Sequence, residues 1–330
     1  MDKVALLDAA GRNDLFRETA RAMKTTPAIV EKDFWVVWTL DKVFGDAALR
    51  RVLKFKGGTS LSKAFGLIGR FSEDIDLILD WREVTGEDPY LDRNRTQQNK
   101  FNDAANAEAA AYVRETLLPQ VARLIAPVCH CTVEAGDPHS INITYPSAFG
   151  DAYLRPQILL EIGPLASWLP SGEFAIKPYA AVHFPHVFGR RACSVPTILA
   201  KRTFWEKATI LHQEAHRAEA KPLPSRYSRH YYDLARLAQS DVKREALADM
   251  ALLAKVVAFK QRFYPAAWAC YETAAPGSLR IVPPDYRLAE LEKDFAAMQP
   301  MIFDKPLSWA QVMEILAALE QEINAPGVTV

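Results

Sequence analysis

Phe55-Lys56-Gly57-Gly58-Thr59-Ser60-Leu61-Ser62-Lys63, followed by Arg70-Phe71-Ser72-Glu73-Asp74-Ile75-Asp76-Leu77, decides how this chain is read. An apolar strand runs into a Gly-Gly turn and a short helix, and a second strand then carries two aspartates. Glycine lets backbone approach a bulky anion, and a helix starting there offers unpaired N–H groups at the positive end of its dipole. Asp74 and Asp76 stand two apart on an extended segment, so both carboxylates leave one face while Ile75, Leu77 and Leu79 bury on the other. A turn that cradles phosphates beside an acidic pair that holds a divalent metal suits nucleotidyl transfer.

Other phosphate motifs are excluded. A Walker A loop has a longer glycine spacing that ends in Gly-Lys-Ser/Thr. A dinucleotide fingerprint needs a third glycine at the helix start.

The apolar residue, Gly-Gly-Thr/Ser and Asp-x-Asp in this order resemble the polymerase-beta-like nucleotidyltransferase superfamily. The segment GGTSLSKAFGLIGRFSEDIDL is similar to the AbiEii/AbiGii-type toxin branch, which includes the MenT toxins. Ile29-Val30-Glu31-Lys32-Asp33-Phe34-Trp35-Val36 resembles the branch's amino-terminal segment. Arg202-Thr203-Phe204-Trp205-Glu206-Lys207 and Arg229-His230-Tyr231-Tyr232-Asp233-Leu234 resemble its downstream lysine and aspartate motifs. The likeness runs in order from about residue 29 to 240.

The resemblance implies a toxin of a bacterial toxin–antitoxin system that moves a nucleoside monophosphate from an NTP to RNA, with the tRNA 3′ end as acceptor. A cognate antitoxin protein would be its partner. Asp74 and Asp76 would hold Mg2+ or Mn2+. Gly57, Gly58 and Thr59 would offer N–H groups to the phosphates, and Ser60 a hydroxyl. Arg70 and Ser72 would contact the triphosphate, and Lys207 would clamp it. Asp233 would either orient Lys207 or help deprotonate the acceptor hydroxyl. Glu161 is a third metal-directed carboxylate or a buried ion-pair partner, since a charge in so apolar a strand needs compensation. Two other readings of the same motifs are a nucleotidyltransferase for a small molecule or protein, and a non-catalytic nucleotide-binding module.

The chain has 330 residues, 49% of them hydrophobic, enough for two lobes with substantial cores. Forty basic residues balance forty acidic ones, so a nucleic-acid surface must come from local clustering. Two basic clusters stand out: Arg190, Arg191, Lys201, Arg202 and Lys207, then Arg217, Lys221, Arg226 and Arg229. No apolar run approaches a membrane span and the start lacks a cleavage pattern, which points to a cytoplasmic protein. Cys129-His130-Cys131 lacks a second ligand pair, so four reduced thiols are expected.

Periodicity predicts helices over 3–24, from Thr26 to about Phe44, from the Gly-Gly turn to about Ile68, and from Asn99 to Leu124. Strands are expected at Val52–Phe55, Asp74–Leu79, Val128–Ala135, Ser140–Tyr145 and Arg155–Ile162. From Thr197, a plausible cap, the chain reads as helical: Ile198–His212, Arg229–Gln239, Arg244–Arg262, Leu288–Met298 and Trp309–Ile323. The expected architecture is α+β, a nucleotidyltransferase-fold mixed sheet with flanking helices over residues 1–192 and a carboxy-terminal helical lobe over 193–330.

Overall fold

The structure is a computed structural model that describes residues 1–151, 154–165, 167–303 and 306–326. The chain divides into two compact units. One comprises Met1–Phe65 and Phe71–Ile198; the other comprises Gly66–Arg70 and the chain from Leu199 onward.

The first unit is built on a seven-stranded mixed sheet. Its strands are β1 (Leu53–Lys56), β2 (Ile75–Leu79), β3 (His130–Glu134), β4 (Asp137–Thr144), β5 (Gln157–Gly163), β6 (Ser171–Ile176) and β7 (Cys193–Ile198), in the order β3-β4-β5-β2-β1-β7-β6. β2 runs antiparallel to β1 and parallel to β5, so the acidic strand is central. The fold is therefore α+β with a mixed sheet, as the motif order implied.

β6 and β7 were not expected. They lie in a proline-rich stretch, and Pro196 sits inside β7 opposite Glu173. Proline removes a ladder donor, which argues against a central strand. β7 tolerates it because its parallel register with β1 is a single pair, Phe55 with Thr197. Cys193–Ile198 thus belongs to the sheet, and the first compact unit runs to Ile198.

The helix Pro27–Gly45 is the first unit's spine. Thr26 caps it, accepting from Ile29 N at 3.4 Å, and Pro27 occupies the first turn, where its missing N–H is harmless. Every residue from Ala28 to Asp41 is buried, so this helix is enclosed rather than amphipathic. Phe34, Trp35 and Trp38 pack in the core, and Trp38 Nε1 also donates to Asp2 Oδ1 at 2.8 Å. The helix expected over 3–24 is two pieces, Asp2–Ala5 and Ala9–Met23. Asp8 caps the second by accepting from Gly11 N.

The second unit is helical: Ala200–Ala215, Ser228–Ala238, Asp241–Leu247, Met250–Phe263, Asp285–Met298 and Trp309–Ile323. Ser308 caps the last in a reciprocal box with Gln311. Thr197 caps nothing; it lies in β7 and its hydroxyl donates to Val195 O. The single helix expected over Arg244–Arg262 breaks at Asp249, whose backbone leaves the helical region and whose carboxylate pairs with Lys201 at 2.7 Å. Gly66–Arg70 joins this unit through a bridge between Arg70 and Ile302 and a bond from Phe303 N to Gly69 O.

All four cysteines are free thiols, and burial pushes Cys129 and Cys193 up to about 12. Among the described residues no helix is long and apolar enough to cross a membrane.

Candidate functional site

Lys56 opens the Gly57–Lys63 helix with no side-chain cap, so the first N–H groups, on Gly57, Gly58 and Thr59, lack an internal side-chain acceptor. The helix ends at Lys63 instead of running to Ile68. Gly57 is required twice. Its φ of +81° lies in the left-handed region, and a Cβ there would stand 1.8 Å from Asp76 Oδ2. The turn and the second aspartate are thus in direct contact, an adjacency that spacing alone did not reveal.

Asp74 stands just before β2 and Asp76 within it, both half-buried, while Ile75 and Leu77 are fully enclosed. Asp76 is in register with Glu161 on β5 and with Lys56 on β1, and Glu161 is in register with Ser140 on β4. Directly paired residues share a face, so Lys56, Asp76, Glu161 and Ser140 form one polar row across the sheet. Glu161 is exposed, which removes the buried ion-pair reading for it. Lys56 was missed because an apolar-alternating strand gives no sign of which residue will lie opposite it.

The hydroxyls of the turn point inward. Thr59 Oγ1 donates to Asp74 O, and Ser60 Oγ donates to Gly57 O at 2.8 Å; both side chains are buried. Ser60 therefore braces the turn instead of extending a hydroxyl to a phosphate. Ser72 is half-buried two residues before Asp74.

Divalent metal suits the donor types here, since carboxylate oxygens are hard ligands. Among the described residues no three His, Cys, Asp or Glu side chains are gathered into a ligand set. Mg2+ characteristically takes one or two protein carboxylates and completes its shell from substrate phosphates and water, which matches an Asp76–Glu161 register with Asp74 nearby.

In the second unit Asp233 is 0% exposed and lies between two cations. Arg70 grips it with both arms, Nε to Oδ1 at 2.7 Å and Nη2 to Oδ2 at 2.8 Å; Lys207 Nζ stands 2.8 Å from Oδ2. Burial pushes the Asp233 carboxyl up, but the Arg70 and Lys207 charges more than reverse this and hold it well below the usual carboxylate range. A carboxylate so fixed is a poor proton acceptor, and it holds the Lys207 ammonium in place.

Lys207 is itself 5% exposed. Burial pulls its ammonium down from the ordinary value, and Asp233 opposes that. Its Nζ also lies 3.4 Å from His230 Nδ1. His230 is held well below its ordinary value, first by burial and then by the Lys207 and Arg229 charges, so it is neutral. Arg70 is buried and held in place by Asp233.

In the first basic cluster Arg190 pairs with Asp41, Lys201 with Asp249 and Arg202 with Glu206; in the second, Arg217 pairs with Glu214.

Residues 38–318 match a family model described as nucleotidyl transferase AbiEii toxin of a type IV toxin–antitoxin system. No curated protein matches the chain. Among solved structures, the MenT4 nucleotidyltransferase toxin of Mycobacterium tuberculosis H37Rv is similar at 18% identity and a TM-score of 0.49, covering 94% of this chain and 93% of that one. JHP933 from Helicobacter pylori is similar at 13% identity and a TM-score of 0.43, covering 89% and 91%.

Proposed function

The chain belongs to the AbiEii family of nucleotidyltransferase toxins, and from that premise we propose that it transfers a nucleoside monophosphate from an NTP to an RNA hydroxyl, at the 3′ end of tRNA. The observation that carries this reading is the Gly57 turn lying bare against Asp76, with Glu161 in the next register position. Phosphate-facing N–H groups and metal-directed carboxylates then meet at one level of the sheet.

The acceptor hydroxyl oxygen bonds to the α-phosphorus and gives up its proton to solvent, the bond from the α-phosphorus to the α,β-bridging oxygen breaks, and pyrophosphate leaves with that bond's electron pair. Asp74, Asp76 and Glu161 would hold Mg2+ or Mn2+, which would neutralise charge building on the phosphate oxygens. Gly57, Gly58 and Thr59 donate backbone N–H groups to the β- and γ-phosphates. Lys207 supplies a compact positive charge to the triphosphate, and Asp233 and Arg70 fix its position. The work takes place in the cytoplasm, and a separate antitoxin protein restrains it.

The test is incubation of wild type and Asp76→Ala with each α-labelled NTP, Mg2+ and total bacterial RNA, resolved on a gel. Labelled tRNA with wild type alone supports the proposal. Label on protein or on a small molecule, with RNA untouched, would replace the acceptor. Expression of wild type should also slow bacterial growth, and Asp76→Ala should not.

A further inference from the structure

Two consecutive residues of the Pro27–Gly45 helix reach the two sides of the connection between the glycine-turn helix and the acidic strand. Lys32, 0% exposed, donates to Glu73 Oε2 at 2.5 Å and to Arg155 O at 2.8 Å. Glu73 Oε2 also accepts from Arg155 N at 3.0 Å, so this carboxylate is fixed from two sides. Glu73 immediately precedes Asp74.

Asp33, also 0% exposed, accepts from Lys63 Nζ at 2.5 Å and from Tyr179 N at 2.6 Å. Lys63 closes the helix that begins at Gly57, and its ammonium lies 3.7 Å from the centre of the Tyr179 ring. One anchor therefore stands at the end of the glycine-turn helix and the other at the entry to the acidic strand.

Burying both members of an ion pair costs several kcal/mol per ion before their attraction offsets it, and apolar residues of similar volume often serve stability as well. Two such fully enclosed pairs on adjacent positions of one helix are poorly explained by stability alone. What they do fix is geometry. A charge pair held by several hydrogen bonds has one low-energy arrangement, whereas packed methyl groups tolerate small slides.

We propose that Lys32 and Asp33 are positioning residues for nucleotidyl transfer, which set the spacing between the Gly57 turn and the Asp74–Asp76 carboxylates so that phosphate and metal are met together. The proposal rests on the reading of that turn and those aspartates as the nucleotide and metal site. Reactions that depend on such placement lose rate steeply for small displacements.

The experiment compares full-length Lys32→Met, Glu73→Gln, the Lys32→Met/Glu73→Gln double variant and Asp33→Asn with wild type. Asp41→Asn is the control, because it removes a buried carboxylate from the same helix, paired with the exposed Arg190, that does not touch the signature segment. Each is measured for melting temperature, for Mn2+ affinity by loss of the free-ion EPR signal, and for kcat and KM of transfer.

The double variant removes both charges together, so it folds even where Lys32→Met alone does not. Its kcat should fall about 100-fold and its Mn2+ affinity about tenfold, with KM for the NTP little changed. The single variants that fold should lose as much as the double one, as expected of residues acting as a unit. Wild-type kcat and Mn2+ affinity in the double variant would overturn the proposal. So would an equal kcat loss in Asp41→Asn at matched melting temperature, since the pairs would then be merely structural. If Asp76→Ala also transfers normally and wild type binds no Mn2+, the site reading itself falls, a result distinct from failure of the positioning role.

Discussion

Asp76 and Asp233 are both assigned to one reaction, yet their surroundings are opposite. Asp76 is half-buried on a sheet face, against a bare glycine turn and in register with a second carboxylate. Asp233 is sealed away from water, and two cations engage its oxygens. A carboxylate that must accept a metal needs accessible lone pairs and a neighbour of like charge. A carboxylate that must hold a lysine in place needs the reverse. Loss of the first should therefore affect turnover with little effect on folding, and loss of the second should affect both.

The largest effect is expected at Asp76. Asp76→Ala should lower transfer by about 1,000-fold or more while the melting temperature stays near that of wild type. Activity near wild type, or a collapsed fold, would break the contrast.

Lys207→Ala should cost about 100-fold in kcat, the scale of one electrostatic stabiliser, and Lys207→Arg should recover only part, since a planar fork cannot occupy the same point. Lys243→Ala, which removes an exposed partner of Glu322, is the control. Asp233→Asn should lower kcat similarly and also destabilise the protein by about 3–5 kcal/mol, because it strands buried Arg70 and Lys207 charges. Denaturant unfolding beside steady-state transfer separates the two losses. A stable but inactive Asp233→Asn would make Asp233 resemble Asp76.

Glu161→Gln sharpens the comparison on the sheet face. If Glu161 assists Asp76 with the metal, half-maximal activity should need about tenfold more Mg2+, with saturated turnover less affected. An unchanged Mg2+ requirement would remove Glu161 from the ligand set.

The smallest effect is in pH dependence. The folded protein keeps His230 neutral, through burial and the Lys207 and Arg229 charges, whereas the unfolded chain protonates it near its ordinary value of about 6.5. A base with a depressed folded pKa contributes no penalty above that value and favours unfolding as pH falls below it. Melting temperature should drop between pH 7.5 and 5.5, with about 2–4 °C of the drop due to His230 and absent in His230→Gln. His212 is also depressed by burial, so some slope should remain in that variant. The Asp233 carboxyl works the other way: its depressed pKa keeps its contribution through this range and loses it only in strong acid.

Local signals carried much of this protein. Alternation gave the acidic strand, Gly-Gly followed by Asp-x-Asp gave the chemistry, and a cap with a periodic stripe gave the Trp309–Ile323 helix to the residue. Each of these is determined within a few residues by backbone sterics and by which face buries. The breaks in regularity were less legible. Pro196 hid β7 because a proline's effect depends on whether its strand has a full ladder on that side, which neighbours decide.

Partners distant in the chain were decided by tertiary structure alone. Arg70 and Asp233 are 163 positions apart, and nothing near either names the other. Read alone, Arg70 suited a phosphate contact and Asp233 either a brace for Lys207 or a base; that the two grip each other through both carboxylate oxygens was not legible. The Glu31-Lys32-Asp33 run was visible as charge on an apolar helix, but Glu73 and Lys63 as the destinations of Lys32 and Asp33 required the fold. Sequence fixes which charges a segment owns, because residue type sets charge and local period sets its face. Only packing decides which opposite charge loses its water at the same place, as Arg70 and Lys207 do around Asp233.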